Sequence, residues 1–412
     1  MGSWGRLLAP LSNRDFALLW AGQTFSTIGD FIFAVALPVS ALSLGASAVE
    51  LGALVAIFAS TQVALLILGG AVVDRASRRT VLMACDLARA VAVGIAAWLA
   101  LAHELRLQHL YVLQAALGFS SAFFQPALRA IAPQLLPPTL LPSANALRSS
   151  ARLIGRSLGP VAGAILIVSG GPGLAFAANA ASFAVGAATL ALIPAASAPR
   201  AASTVTWRAQ LGGGLHYARA VPWIWTTIAL FALWNAAFNA AQNVTIPLLA
   251  LPTGGPELLA AMYAAYAVGQ VVAILALVRR EWARPGLALY GFAALTAVAI
   301  AAAGALRSEA TLLVLWCVSG IGVLMATNIW ETLLQQRVPA ALLGRVGSVD
   351  LFGSFVFTPL APYVAGALVS ATTAALATVA LGLVGVATCV FALALPAIRN
   401  LRAPTAARAS ST

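Results

Sequence analysis

The chain has 412 residues, 61% hydrophobic and only 8% charged, with a mean hydropathy of +0.95. A soluble domain is roughly a quarter charged, so this is an integral membrane protein. The net charge of +12 comes from arginine alone, without a single lysine. The arginines stand singly or in small groups between apolar runs, which is a pattern of membrane topology and not of nucleic-acid binding.

A spanning helix needs about 20 mostly apolar residues. Apolar runs fall near 16–44, 50–73, 80–102, 108–131, 145–169 and 172–194, then near 223–251, 257–279, 285–306, 309–331, 345–370 and 372–396. They predict an all-α integral membrane fold of twelve transmembrane helices. The polar gap between the sixth and seventh runs carries Arg200, Arg208 and Arg219. It predicts an N-terminal six-helix bundle over 1–195, a cytoplasmic linker over 196–222, and a C-terminal six-helix bundle with a short cytoplasmic tail over 223–412.

Arginine counting orients the chain. With the N-terminus inside, the inner segments take nearly all the arginines and the outer loops only Arg106 and Arg307. Both termini are therefore expected in the cytoplasm. The two halves also repeat. Shifted by 202 residues, "APQLLPPTLLPSANALRSSARLIGRSLGP" lies without a gap on "LQQRVPAALLGRVGSVDLFGSFVFTPLAP". Two parallel six-helix repeats are a transporter architecture, with substrate held near the membrane midplane.

Two motifs carry a resemblance. The loop "GGAVVDRASRRTVL" places Gly70, Asp74, Arg75, Arg78 and Arg79. It resembles the loop signature of the major facilitator superfamily, with Ser77 where the family usually has Gly. The resemblance implies a conformational latch, with Asp350 as a partner by the 202-residue offset from Arg148. Helix 5 carries "GRSLGPVAG", in which Gly155, Gly159, Pro160 and Gly163 match the family's antiporter-type signature, found in exporters. Small residues at such spacing also serve plain helix packing. The opening "NRDFALLWAGQTFSTIGD" and the stretch from Phe123 to Pro160 look like the enterobactin and macrolide exporter branch. One departure is Gln114, four residues before Gly118, where many proton-coupled drug exporters of the superfamily have Arg.

In that architecture helices 1, 4, 7 and 10 line the central cavity. Helix 1 then offers Gln23, Thr27 and Asp30 on one face. A carboxylate within an apolar run costs a few kcal/mol if it meets lipid, so Asp30 is expected to face a wet cavity. It is the candidate for proton coupling, with recognition of a cationic substrate and a structural pairing as alternatives. Helix 7 offers Asn235, Asn239 and Gln242, and helix 10 offers Asn328, Glu331 and Gln335. Helix 4 adds Gln114, Phe123, Phe124 and Gln125 to the cavity. Glu331 is a second proton or substrate candidate, or forms a gate pair with Arg129, or is merely interfacial. Asp86 and Arg89, three apart, read as a snorkelling or paired structural couple.

Aromatic walls, amides and one or two carboxylates suit a bulky amphipathic organic molecule. The expected activity is proton-coupled efflux of a drug-like or siderophore-like small molecule by alternating access, driven by the proton gradient and without a cofactor. Import or facilitated diffusion, lipid flipping, and a transport-inactive sensor are the competing readings. No enzyme motif, nucleotide-binding loop, disulfide or metal spacing is present in the sequence. The expected partners are the small-molecule substrate and membrane lipid, with no nucleic acid, and the expected state is a monomer in a bacterial inner membrane.

Overall fold

A computed structural model describes residues 8–194, 215–276, 280, 282–306 and 308–402. Most of the interdomain linker expected at 196–222 lies outside the described residues. The described chain is helical throughout. Helix α1 spans Arg14–Ser43, α2 Ala48–Arg75, α3 Arg78–Leu101 and α4 Leu107–Leu135. Helices α5 (141–169) and α6 (172–191) follow, then α7 from Pro222 to residue 253, with a π-helical turn at Ala241–Thr245. Helix α8 covers 256–276, α9 Pro285–Ala305, α10 Glu309–Arg337, and α12 Ala374–Ala394. Helix α11 comes in two pieces, Ala340–Phe355 and Ala361–Ala371.

Local chemistry sets these boundaries. Asn13 caps α1 by accepting from the Phe16 N–H at 3.0 Å. Ser47 and Glu50 close a capping box at the start of α2, satisfying two amides that have no partner within the helix. Two connections use one device. Between α5 and α6 the chain reads Gly170-Gly171-Pro172, and Gly171 sits at φ +76°. Between α7 and α8 it reads Gly254-Gly255-Pro256, and Gly255 sits at φ +67°. Glycine alone adopts that left-handed geometry cheaply, and the proline starts the next helix where its missing N–H is not needed. The break in α11 falls in a five-residue turn that contains Pro359, as a proline inside a helix demands.

Eight helices among the described residues are long and apolar enough to cross a membrane, two of them double-length and broken at these Gly-Gly turns. With those breaks, the more polar α4 and the divided α11, the described helices are consistent with twelve crossings. Trp98, Val112, Leu275 and Phe391 are each more than half exposed. Such side chains are costly against water in number and suited to hydrocarbon.

The chain forms two compact units. The first holds residues 1–202 with 246–264 and 362–371, and the second the remainder. In the first, α1 packs along α5 and α6, α3 on α4 and α6, and α2 on α4. Its core includes Phe16, Leu82, Phe124, Ile131 and Leu190. In the second, α9 packs on α10 and α12, and α7 on α11 and α12. Its core includes Phe231, Trp234, Tyr290, Met325 and Trp330.

Close backbone approach marks the seams, and it repeats at the sequence offset. In the first unit a Cβ on Gly118 would lie 2.5 Å from the Phe58 carbonyl oxygen, so α4 rests directly on the α2 backbone. In the second unit Gly320, 202 residues later, would place a Cβ 2.1 Å from the Tyr266 carbonyl oxygen of α8. Membrane helices associate through such small-residue contacts because lipid gives them no hydrophobic push.

Candidate functional site

Asp30 sits midway along α1, on a turn whose neighbours are used for packing. Gly29 abuts Ser182 and Asn179, and Ile28 and Phe31 abut Gly159. The helix therefore turns Asp30 away from α5 and α6. The Asp30 side chain is solvent-accessible and yet deeply surrounded by protein atoms. Among the described residues no hydrogen bond or ion pair holds it, and the charge that acts on it is Arg89.

Behind Asp30 lies a buried ionic centre. Asp86 is fully buried and Arg89 nearly so, with Nη1 3.9 Å from Asp86 Oδ1. Arg89 Nε donates to Ser120 Oγ at 2.9 Å and Nη2 to Ser121 Oγ at 3.2 Å. Its guanidinium lies 4.1 Å over the Phe124 ring and 5.5 Å over that of Phe183. Ser120 passes its own hydrogen to the Cys85 carbonyl. The pair is interior and does not snorkel. Asp86 is packed against α6, where a Cβ on Gly186 would come within 2.8 Å of Oδ2. Among the described residues neither Asp86 oxygen has a well-formed hydrogen bond, and its polar neighbour besides Arg89 is the Gln23 amide nitrogen, which is turned toward it. Phe124 thus supports Arg89 and belongs to the core. Sequence spacing links Asp86 to Arg89, but nothing in it brings Asp30 to them.

The other helix 4 candidates divide. Gln114 is buried and donates to the Leu54 carbonyl at 3.1 Å. It ties α4 to α2. Phe123 is half-buried, its ring 4.9 Å from that of Phe119, and Gln125 is half-buried beside it. Arg129 is exposed.

On α7, Asn235 Nδ2 donates to the Ser354 carbonyl of α11 at 3.0 Å. Asn239 keeps a buried side-chain oxygen without a hydrogen bond. Gln242 lies in the π-helical turn, a distortion common at functional positions. On α10, Asn328 is half-buried and Glu331 exposed.

Asp350 is held by two side chains of its own unit. Its Oδ2 accepts from Trp330 Nε1 at 3.0 Å and its Oδ1 from Ser354 Oγ at 2.8 Å. Each oxygen thus has one hydrogen-bond partner within the second unit. An Asp350→Leu change strands the Trp330 N–H and should cost about 1–3 kcal/mol. A lowered thermal midpoint, with altered tryptophan fluorescence, would report it.

Within the loop signature, the surroundings of Gly70 and the side chains of Asp74 and Arg75 lie outside what the structure describes. Arg78 is half-buried. Arg79 Nε donates to the Leu190 carbonyl and Nη2 to that of Ala191, each at 2.8 Å. These are the last carbonyls of α6, which lack helical partners, and a cation there also opposes the negative helix end. Arg79→Gln should cost about 1 kcal/mol. Hydrogen exchange at the last turn of α6 should then accelerate while α1 is unchanged.

The helix 5 glycines form a seam. A Cβ on Gly155 would meet Thr27 Cγ2 at 2.6 Å, on Gly159 the Phe31 Cβ at 2.5 Å, and on Gly163 the Ile32 Cα at 3.2 Å. Pro160, buried beside them, leaves the helix locally short of a hydrogen bond. Two closely apposed helices, one of them weakened, flank the stretch of α1 that carries Asp30.

Residues 19–362 match the family model of the Major Facilitator Superfamily. The chain belongs to that superfamily. A relative, the uncharacterized MFS-type transporter YfiS of Bacillus subtilis (strain 168), is 24% identical over 254 residues, which is 60% of each chain. The match thus spans less than two thirds of that relative's length. Among solved structures, a bacterial homologue of the iron transporter ferroportin superposes with a TM-score of 0.71 at 17% identity, over 93% of this chain and 99% of the other. The nucleoside transporter NupG gives 0.70 at 14% identity, over 92% and 98%. A bacterial homologue of the lysosomal transporter Spinster gives 0.70 at 16% identity, over 95% and 98%. These likenesses establish the fold. Family and fold are those of multi-pass membrane transporters, and the described residues hold no cluster of metal-ligating side chains.

Proposed function

We propose that this superfamily member exports a drug-like or siderophore-like organic molecule in exchange for protons, by alternating access. The observation that carries the reading is Asp30, a carboxylate accessible within surrounding protein and without a hydrogen bond or ion pair among the described residues. An ionisable group at membrane depth is expensive and is functional by default. A carboxylate held by no hydrogen bond can take and give up a proton without dismantling a network. The glycine seam between α1 and α5 supports the exporter reading, since it matches the antiporter-type signature. So does the resemblance to the enterobactin and macrolide branch. The arginine bias supports both termini being cytoplasmic, and the reading takes the protein as a monomer of a bacterial inner membrane.

The test is direct. Protein is reconstituted in liposomes containing a pH dye, a proton gradient is imposed, and hydrophobic cations, macrolides and catecholate siderophores are added in turn. Proton movement on adding one compound would establish antiport and identify its class. Flux without proton movement would indicate a uniporter, and silence from folded protein a flippase or a sensor.

A further inference from the structure

Helix α5 carries Arg148, Arg152 and Arg156 at successive four-residue steps. Residues four apart are neighbours on one helix face, and like charges there repel. Arg129 from α4 adds to the crowd, and its charge and that of Arg152 both act on Arg148. No carboxylate among the described residues pairs with Arg148. A sequence that concentrates cations this way on a membrane helix has left a charge unanswered.

Arg148 is half-buried because it lines a cavity of about 60 Å³, with Arg152 beside it and Phe16, Trp20, Gln23 and Thr27 of α1 opposite. Trp20 Nε1 is bound to the Leu147 carbonyl at 2.8 Å, and Thr27 Oγ1 to the Gln23 carbonyl at 2.7 Å. Those two side chains are fixed walls. The Gln23 side chain also borders the cavity, with its buried amide nitrogen turned toward Asp86. Asp86, behind Gln23, is answered by Arg89. The cavity thus offers donors and positive charge, with no acid of its own among its lining residues. Its volume would hold about four waters, the bulk of one small oxyanion group and not of a whole amphipathic molecule.

We propose that this cavity binds the oxyanion, a carboxylate, sulfonate or phosphate group, of the transported molecule, with the apolar body remaining outside it. Arginine suits the task because its planar fork meets two oxygens at once. The proposal names a substrate class for the export reading and rests on that reading.

Thermal unfolding of the full chain, purified in detergent without phospholipid, tests it. The probes are 1-naphthyl phosphate, its cationic counterpart 1-naphthylmethylamine, and dioleoylphosphatidylglycerol. The aryl phosphate should raise the midpoint of the wild type, and the amine should not. In Arg148→Gln the apparent affinity should fall on the order of tenfold or more. Should that variant not fold, Arg148→Lys carries the test, because an ammonium cannot make the two-pronged contact and should bind severalfold more weakly. If only the phospholipid acts, and through Arg148, the oxyanion site stands with a lipid headgroup as occupant, and the substrate assignment is overturned. If neither anion acts, if the amine acts equally, or if the Arg148 variants respond like the wild type, the proposal fails. No gradient is imposed, so a protein that couples to no proton still reports this site. Unchanged binding in the Arg148 variants alongside intact proton coupling would overturn this site alone.

Discussion

Replacing Asp30 by Asn is expected to abolish gradient-driven flux while leaving the fold intact. The substitution keeps shape and polarity and removes only the titratable proton. Among the described residues Asp30 makes no hydrogen bond or ion pair that Asn would have to reproduce, and it is solvent-accessible. Its loss should therefore barely shift the thermal midpoint, as expected of an accessible position without packing or pairing. Proton movement on substrate addition should fall to the level of empty liposomes. Substrate binding measured without a gradient should persist, which separates a coupling role from direct recognition of a cation. Full coupling in the variant would reduce Asp30 to a passive residue, and lost binding would make it a substrate contact.

The second large effect is structural. Gly320→Val should lower the stability of the second unit by about 1–3 kcal/mol, the usual cost of overpacking a close contact. The added Cβ would fall 2.1 Å from the Tyr266 carbonyl oxygen, with the Tyr266 carbonyl carbon at 2.9 Å and its Cα at 3.2 Å. All three are backbone atoms, so no side chain can swing aside. Helix α10 would have to move away from α8, opening the seam that Gly269 also closes against the Cys317 carbonyl. Thermal unfolding in detergent reads the loss. Gly291, which has nothing within 4 Å of its Cβ position, is the control and should tolerate Ala. A Gly320→Val protein as stable as the wild type would mean that the seam relaxes freely.

How much of this was legible in the sequence differs by level. The helix 5 glycines were identified by spacing, and the structure shows what each touches on α1. The 202-residue repeat was visible as a weak alignment and returns as Gly118 and Gly320, each resting on a neighbouring carbonyl. Gln114 and Asp350 were the opposite case. Their spacing suggested a cavity or latch position, and it gave no sign of the partners the structure shows, Leu54 in one case and Trp330 with Ser354 in the other. Spacing along one helix says which residues share its face. It does not say which neighbouring helix that face meets.

The sequence by itself determined that the chain lives in a membrane, where its helices run, and that it repeats. Those properties follow from the transfer of each segment between water and hydrocarbon, and that free energy is a sum over local residues. Only the tertiary structure decided that Arg79 caps α6, that Asp86 and Arg89 form a buried pair whose charges act on Asp30, and that Arg148 opens onto a cavity. Those are contacts between segments tens of residues apart. They are set by how helices with small residues at their seams lie against one another, which single-helix periodicity does not encode.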